Sequence, residues 1–394
     1  MACGCENSNE NSFSNLENMN PNMNPDMNPD MNQQNPIVPL RLEYVWLDGS
    51  DSKNMRSKVK YTQMDKRKIN SIEDMLNMIP QWSFDGSSTK QSKSDNSDCL
   101  LKPVKLFPNF IERSKTPSFF VLCEVLDSEG NPHESNTRAR LKKNAEEDDD
   151  AGFQFAVEQE YLILDNFTKK PIGWSTYDED TPSSQGDYYC GIGSDKIQGR
   201  ELAEFHANIC NMSGIRIEGT NAEVVLSQWE YQTSPKSALH AADDLWMSRF
   251  ILQRLAEKGN TFISFDPKPV TGDWNGSGAH INFSTRHMRE NSDMSYMREM
   301  CSGMEKYHED AISLYGNGNE KRLTGKHETL LVDKFSWGEM NRDASIRIPI
   351  YTVNNSGKGY LEDRRPAANV DPYEAFSHIV SCISEINKEM LVTS

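Results

Sequence analysis

The order of apolar and polar residues predicts a mixed succession of strands and helices from Leu40 onward. Leucine or an aromatic residue occupies every second position from Leu42 to Trp46, which is typical of a strand, and the turn pair Asp48-Gly49 closes it. Comparable runs predict strands at 119–125, 154–164, 216–226 and 280–284. Helical spacing predicts a short helix capped by Ser71 and longer helices at 199–212, 238–258, 288–314 and 373–391. We therefore expect an α+β fold.

Composition divides the chain into a tail and two folded parts. Residues 1–36 consist largely of Asn, Met, Pro, Ser and acids, which cannot bury enough surface to offset the entropy of ordering them, so we expect this tail to be disordered. A turn sequence and an acidic run between Asp127 and Asp150 indicate a domain boundary. We expect a small N-terminal domain at 37–130 and a larger catalytic domain at 131–394.

Charge and cysteine content limit the classes of partner. The 394 residues carry a formal net charge of −17, which disfavours nucleic acid and anionic membranes as partners because both need a basic surface. The eight cysteines include no CxxC pair, and no segment has the pattern of a signal peptide or of a membrane span. We therefore expect a cytoplasmic protein with reduced thiols and without a nucleic-acid or membrane partner.

Acidic residues recur inside apolar runs. Glu158 and Glu160 are two residues apart, so on a strand they share one face, where two like charges are unfavourable unless a cation joins them. Further candidates lie on other runs: Glu223, Glu230 and His280. Alone, the glutamates fit a solvated strand face and the histidine fits a hydrogen-bonded core residue. Together they form an oxygen-rich set that suits Mg²⁺ or Mn²⁺ more than zinc.

Arginines form a second group of candidates in the C-terminal third: Arg322, Arg342, Arg347, Arg364 and Arg365. Guanidinium groups bind phosphate and carboxylate through two parallel hydrogen bonds, so these positions are candidates for an anionic substrate. Surface salt bridges are the alternative for any one of them. The sequence contains no GxxxxGK[ST] loop, so a phosphate site would have to be built from metal and arginine.

Seven segments resemble, in family order, the signature blocks of type II glutamine synthetases. They are Trp82-Ser-Phe-Asp-Gly-Ser-Ser-Thr89, Glu158-Gln-Glu-Tyr161, Asn221-Ala-Glu-Val224, Trp274-Asn-Gly-Ser-Gly-Ala-His280, Arg322-Leu-Thr-Gly325, Ser345-Ile-Arg-Ile-Pro349 and Glu362-Asp-Arg-Arg-Pro366. The resemblance extends from about Leu40 to about Ile386. It implies a β-grasp N-terminal domain, a catalytic domain with a curved antiparallel sheet and helices, and a homodecamer of two pentameric rings with active sites between neighbouring subunits.

The resemblance also implies a reaction and a role for each site residue. ATP would phosphorylate L-glutamate to γ-glutamyl phosphate, and ammonia would displace the phosphate to give glutamine. The metal ligands would be Glu160, Glu223 and Glu230 for one ion and Glu158, His280 and Glu362 for the other. The substrate-binding residues would be Asn282, Ser284 and Tyr360 at the nucleotide, Arg342 and Arg347 at the phosphates, and Arg322 and Arg364 at glutamate and the transferred phosphoryl group. Asp85 would deprotonate ammonium, and Glu328 would belong to a flap that closes the site.

Two positions depart from the family pattern. Asp273 stands where asparagine is usual near the amino-acid substrate, and Gln154 replaces an expected tryptophan. The carboxylate of Asp273 either weakens glutamate binding or pairs with the ammonium group of the substrate. A ligase acting on another amine and a catalytically inactive homologue are the alternatives. Retention of Asp85 and Glu328 favours ammonia over a bulkier amine, and the presence of all six metal-ligand candidates argues against an inactive protein.

Overall fold

A computed structural model describes residues 36–93, 95, 97–112, 116–147, 149–174, 182–184 and 186–393. The predicted disordered tail lies outside the described residues, apart from Pro36, and the domain boundaries at 36 and 130 stay predictions.

A five-stranded sheet forms the N-terminal part. It contains the strands β1 (Ile37–Leu47), β2 (Met55–Asp65), β3 (Trp82–Asp85), β4 (Asp98–Pro108) and β5 (Ser118–Leu126), in the order β2-β1-β5-β4-β3. Only the β1–β5 pair in it is parallel. The short helix α1 (Ile72–Met78) begins at Ser71, whose hydroxyl accepts a hydrogen bond from the amide of Asp74, as the sequence predicts. Strand β2 was not predicted, because it is an edge strand of mostly exposed and half-buried side chains without alternating apolar residues.

A second, larger sheet forms the centre of the predicted catalytic domain. Its strands are β6 (Gln154–Asp165), β7 (Ile217–Ala222), β8 (Gln228–Thr233), β9 (Thr261–Ser264), β10 (Ala279–Ser284), β11 (Trp337–Glu339), β12 (Ile346–Ile348) and β13 (Leu361–Asp363). The order is β11-β12-β13-β10-β6-β8-β7, with β9 paired to β6, and only β11 and β12 are parallel. The predicted α+β class with a curved, mainly antiparallel catalytic sheet is confirmed.

The remaining helices are α2 (Thr137–Glu147), α3 (Arg200–Met212), α4 (Ala238–Ala256), α5 (Arg286–Glu290), α6 (Met294–Gly303), α7 (His308–Leu314), α8 (Ile350–Asn354) and α9 (Pro372–Thr393). Helix α4 is buried along most of its length. A helix in this position must be apolar on nearly all sides, because it packs between other elements rather than on a surface. None of the helices in the described residues is long and apolar enough to cross a membrane.

One face of the first sheet packs into the core of the catalytic part. The aromatic rings of Phe120 and Phe250 lie 5.4 Å apart, and Val45 and Leu122 belong to the same cluster as the catalytic core. Ion pairs surround this contact, including Lys105 with Asp244 at 2.8 Å. Successive side chains of a strand point to opposite faces of the sheet. The residues next to these on β1 and β5 therefore face a separate N-terminal core.

Two predicted elements were wrong in extent. The predicted strand at 216–226 ends at Ala222, because the chain turns through Ser227, whose φ is 70°, and returns as β8. The predicted helix at 288–314 is divided into three helices with a 3₁₀ turn before the last. Asp293 accepts a hydrogen bond from the amide of Tyr296 and thereby begins a new helix.

Candidate metal and phosphate site

Strand pairing brings the predicted metal ligands side by side. Glu158 on β6 lies opposite His280 on β10, and Glu160 lies opposite Glu230 on β8. Glu362 on β13 lies opposite Asn282, which is two residues after His280 and so shares its face of β10. Because alternate residues share a face, these side chains converge on one side of the sheet. Glu223 follows the end of β7 in the turn that leads into β8.

The ligand atoms lie close enough to hold a cation. Atoms of Glu158, Glu230 and His280 all lie within 4.8 Å of one another. The Nδ1 atom of His280 lies 3.5 Å from Glu158 Oε2 and 3.6 Å from Glu362 Oε1, and it has no hydrogen-bond partner among the described residues. Burial and the nearby arginines keep the pKa of His280 well below its usual value, so the ring is neutral, as a metal ligand requires.

Three carboxylates, two buried and one half-buried, resist ionisation in this arrangement. Burial, followed by the charge of Glu160, raises the pKa of Glu223 to about 8. Burial also raises the pKa of Glu160 and Glu230, and neighbouring carboxylates add to the shift. Protein groups nearby offset this only partly, for example the amide of Gly278, which donates to Glu160 at 2.9 Å. A divalent cation would relieve the repulsion, and oxygen ligands with one imidazole suit Mg²⁺ or Mn²⁺.

Glu362 differs from the other predicted ligands, since arginines already pair with both of its oxygens. Arg364 donates to Oε1 at 2.8 Å and Arg347 donates to Oε2, while Glu362 itself is fully buried. A bidentate or shared arrangement is typical of carboxylates that orient guanidinium groups. In this structure Glu362 therefore orders two of the arginines predicted to bind phosphate and substrate, at the same time as it faces His280.

Arg322 is held beneath the site by backbone groups. Its guanidinium donates to the carbonyl of Arg364 at 3.1 Å, and its NH2 group lies 3.2 Å from Nε2 of His280. Burial lowers its pKa to about 10. A Cβ atom at Gly278 would lie 2.5 Å from the Arg322 NH2 group and 3.1 Å from His280 Nε2, so a larger residue there would displace the guanidinium. The glycine-rich segment before β10 thus permits close contact between the arginine and the histidine ligand.

The loop that carries Glu328 lies over the arginines. His327 and Glu328 both have φ of 57°, a left-handed conformation that is unusual for residues other than glycine. The carboxylate of Glu328 lies 3.8 Å from Arg364 NH2 and 4.0 Å from Arg342 NH1. Asp273, the departure from the family pattern, lies with Oδ1 3.2 Å from Nε2 of His327. Its carboxylate therefore faces the tip of this loop, a contact that sequence reasoning missed.

A cavity of about 670 Å³ opens beside the acidic residues. Among its lining residues are the predicted nucleotide-binding residues Asn282, Ser284 and Tyr360, together with Glu158 and Gln154. Asn282 donates to Glu158 Oε1 at 2.8 Å, so the cavity and the metal-ligand cluster are contiguous. The volume suits a nucleotide-sized ligand.

Asp85 is not brought to this cluster within the chain. Its carboxylate is fully exposed and accepts hydrogen bonds from the hydroxyls of Ser87 at 2.6 Å and Ser88 at 2.7 Å, which lower its pKa. Among the described residues, no hydrogen bond or ion pair joins it to the acidic strands. Tyr189 was not among the predicted site residues. Burial, and then the charge of Glu223, raises the pKa of its hydroxyl, so this side chain lies near the acidic residues.

The comparisons with known proteins point to one family. Residues 134–390 match a family model described as the catalytic domain of glutamine synthetase. A glutamine synthetase of Neurospora crassa is 42% identical over 347 residues, which cover 88% of this chain and 92% of that protein. A cytosolic isozyme of Pinus sylvestris is 41% identical, over 86% of this chain and 91% of the relative. A mitochondrial glutamine synthetase 1 of Drosophila melanogaster is 42% identical, over 88% and 84%.

Proposed function

We propose where the active site of this chain lies, given that the chain belongs to the glutamine synthetase family and is a glutamate–ammonia ligase. The glutamates on β6 and β8, His280 on β10 and the arginines around Glu362 would form that site together. ATP, glutamate and ammonia are its substrates, and the family implies a divalent metal. The observation that carries the site assignment is the convergence of Glu158, Glu230 and His280 within 4.8 Å.

The donor set supports two metal positions. Glu160, Glu223 and Glu230 would hold one ion, and Glu158, His280 and Glu362 the other. The buried carboxylates with raised pKa and the unpartnered His280 Nδ1 support this assignment, and the oxygen-rich set favours Mg²⁺ or Mn²⁺. Bound there, the metal would supply charge stabilisation for the phosphoryl groups. The second position additionally requires Glu362 to loosen its pairing with Arg347 or Arg364.

The arginines would bind the phosphoryl groups and glutamate. Asn282, Ser284 and Tyr360 line the cavity that would hold ATP. Arg342 and Arg347 would orient its phosphates, while Arg322 and Arg364 would bind glutamate and the group in transfer. The γ-phosphoryl group moves from ATP to a γ-carboxylate oxygen of glutamate and ADP leaves, since the free carboxylate is a poor electrophile. Arginine donors that stabilise the charge on the equatorial oxygens lower the barrier to that transfer.

The second half of the reaction needs ammonia and a closed site. Asp85 would accept a proton from ammonium, and the ammonia nitrogen would then attack the γ-carbonyl carbon and displace inorganic phosphate. The exposed, ionised carboxylate of Asp85 supports the role of proton acceptor. We further propose a decameric assembly, in which a neighbouring subunit provides Asp85, and a cytoplasmic location. The relatives named above include a cytosolic and a mitochondrial enzyme.

The direct test is phosphate release from ATP in the presence of glutamate, with and without ammonium, in Mg²⁺ and in Mn²⁺. We expect glutamine and phosphate in equal amounts when ammonium is present. Release that needs another amine would support a ligase with a different acceptor. No release in either metal would indicate a catalytically inactive homologue.

Glu328 gives a prediction about coupling between the two half-reactions. We expect Glu328→Ala to raise the ratio of phosphate released to glutamine formed, because the loop would no longer shield the acyl phosphate from water. The measurement is parallel quantification of both products over one time course. Lys326→Ala, two residues away on the same loop, is the matched control. An unchanged ratio in Glu328→Ala would remove the shielding role.

A further inference from the structure

Gln159 lies between two proposed metal ligands but points to the opposite face of β6. It is fully buried, whereas its neighbours Glu158 and Glu160 face the acidic site. Its Nε2 group donates to the carbonyl of Glu160 at 2.7 Å and to the carbonyl of Ala368 at 3.1 Å. Its Oε1 atom accepts from Arg249 Nε at 2.8 Å. Both of its polar atoms are therefore used on the side away from the substrates.

Arg249 reaches Gln159 from helix α4 and is only 2% exposed. Its other two guanidinium nitrogens donate to the carbonyl of Val370 at 2.7 Å and to that of Ala368 at 3.0 Å. No carboxylate of the described residues forms an ion pair with it. The charge of Asp371 attracts Arg249 without contacting it. A buried charge that lacks a contacting counter-ion is costly, and well-packed apolar side chains of similar volume often serve a core equally well or better. Core packing alone therefore does not account for an arginine at this position.

The acceptors of these hydrogen bonds show what Arg249 and Gln159 connect. Ala368 and Val370 follow β13, the strand that carries Glu362, and the carbonyl of Ala368 accepts from both side chains. In the sheet, β10 lies between β6 and β13. The two side chains therefore connect β6 to the segment after β13 across the face of the sheet opposite the acidic site. Strand β10, which carries His280, lies between the two connected elements. The connection thus spans the three strands that bear the predicted ligands Glu158, His280 and Glu362.

We propose that Gln159 and Arg249 are positioning residues that fix the separation of the metal-binding carboxylates, an inference that rests on the proposed metal assignment. Metal sites tolerate displacements of only about 0.2 Å in ligand distance. Residues behind the ligands that hold them in orientation commonly change metal affinity by about 10–100-fold when they are replaced. Neither residue touches substrate or metal, so the effect would reach the reaction through Glu158, Glu160 and Glu362.

The test is Mn²⁺ binding to the metal-free full-length protein, measured by titration calorimetry without substrates. We expect Gln159→Leu, which keeps the volume and removes all three hydrogen bonds, to weaken binding by about 10–100-fold. Arg249→Lys keeps the charge but replaces the planar fork with a compact ammonium, and we expect a smaller loss in the same direction. Leu252→Ala is the matched control, since it removes a fully buried side chain from the same helix, one turn away.

The control separates positioning from general loss of stability. We expect Leu252→Ala to lower the melting temperature and leave the Mn²⁺ dissociation constant unchanged. If Gln159→Leu or Arg249→Lys folds and binds Mn²⁺ as tightly as the wild type, the inference is overturned, whatever the melting temperature. Arg249→Lys provides the measurement if Gln159→Leu does not fold. Glu160→Ala tests the metal assignment on which the inference rests. Mn²⁺ binding in that variant as tight as in the wild type would contradict the assignment.

Discussion

Glu223→Ala is expected to lower turnover by about 1,000-fold or more, which corresponds to roughly 4 kcal/mol of activation free energy. The reason is that the proposed metal would lose one of three carboxylate ligands, and charge stabilisation by a bound metal contributes several kcal/mol to such reactions. The measurement is steady-state glutamine formation at saturating ATP, glutamate and metal. Glu201→Ala, an exposed glutamate in the first turn of α3, is the control. Normal turnover in chelator-treated wild-type protein would contradict the metal assignment.

The ionisation of Glu223 makes the folding stability of the metal-free protein depend on pH. Because burial and Glu160 raise the pKa of Glu223 to about 8, from a usual value near 4.5, the folded state binds more protons than the unfolded state between those pH values. Stability contributed by protonated Glu223 is therefore fully present below that range and is lost as the pH rises toward 8. We expect Glu223→Gln to reduce this loss. Melting temperatures from pH 5 to pH 8 in chelator would measure the difference, and parallel curves for both proteins would contradict it.

Mixing two inactive variants is expected to restore activity if the active site is shared between subunits. Asp85→Ala and Glu160→Ala subunits, unfolded together and refolded at equal proportions, should regain about a quarter of the wild-type sites, because half of the chains carry each intact residue and neighbours assort at random. The structural reason is the position of Asp85. It lies on the edge strand β3 of the first sheet. Its carboxylate is fully exposed and, among the described residues, accepts hydrogen bonds from the neighbouring Ser87 and Ser88.

A second mixture provides the control for shared sites. Glu160→Ala and Glu223→Ala both remove ligands from the site of their own chain, so their mixture should remain inactive. Recovery in the first mixture and none in the second would establish that Asp85 and the acidic strands come from different subunits. No recovery in the first mixture, with mixed oligomers confirmed by mass spectrometry, would exclude Asp85 from a neighbouring site.

Local sequence patterns predicted the residues of the site better than their pairing. The two-residue spacing of Glu158 and Glu160 was enough to place both on one face of a strand, because the side-chain period of a strand is local. The positions of Glu230 opposite Glu160 and of His280 opposite Glu158 depend on register between distant strands, which no local pattern specifies. The pairing of Glu362 with Arg347 likewise requires β12 and β13 to be neighbours.

Other features escaped prediction because tertiary contacts determine them. The loop at Glu328 adopts positive φ angles at two consecutive residues other than glycine, a conformation that surrounding contacts must support. The buried pair of Gln159 and Arg249 shows no sequence signal, since a glutamine between two glutamates and an arginine in an apolar helix each fit an exposed position equally well. Edge strand β2 lacks the alternation of apolar residues that marks a half-buried strand.

The packing of Phe120 on Phe250 has a consequence for how this protein can be altered. Residues of the first sheet belong to the same core as helix α4, so this sheet is not an interchangeable module. A chimera that exchanged the sheet for that of a relative would need compatible side chains at Val45, Phe120 and Leu122, because a misfit there would leave cavities or overlaps beneath α4. The same helix supplies Arg249, so a misfit at the N-terminal sheet would also disturb the geometry behind the acidic strands.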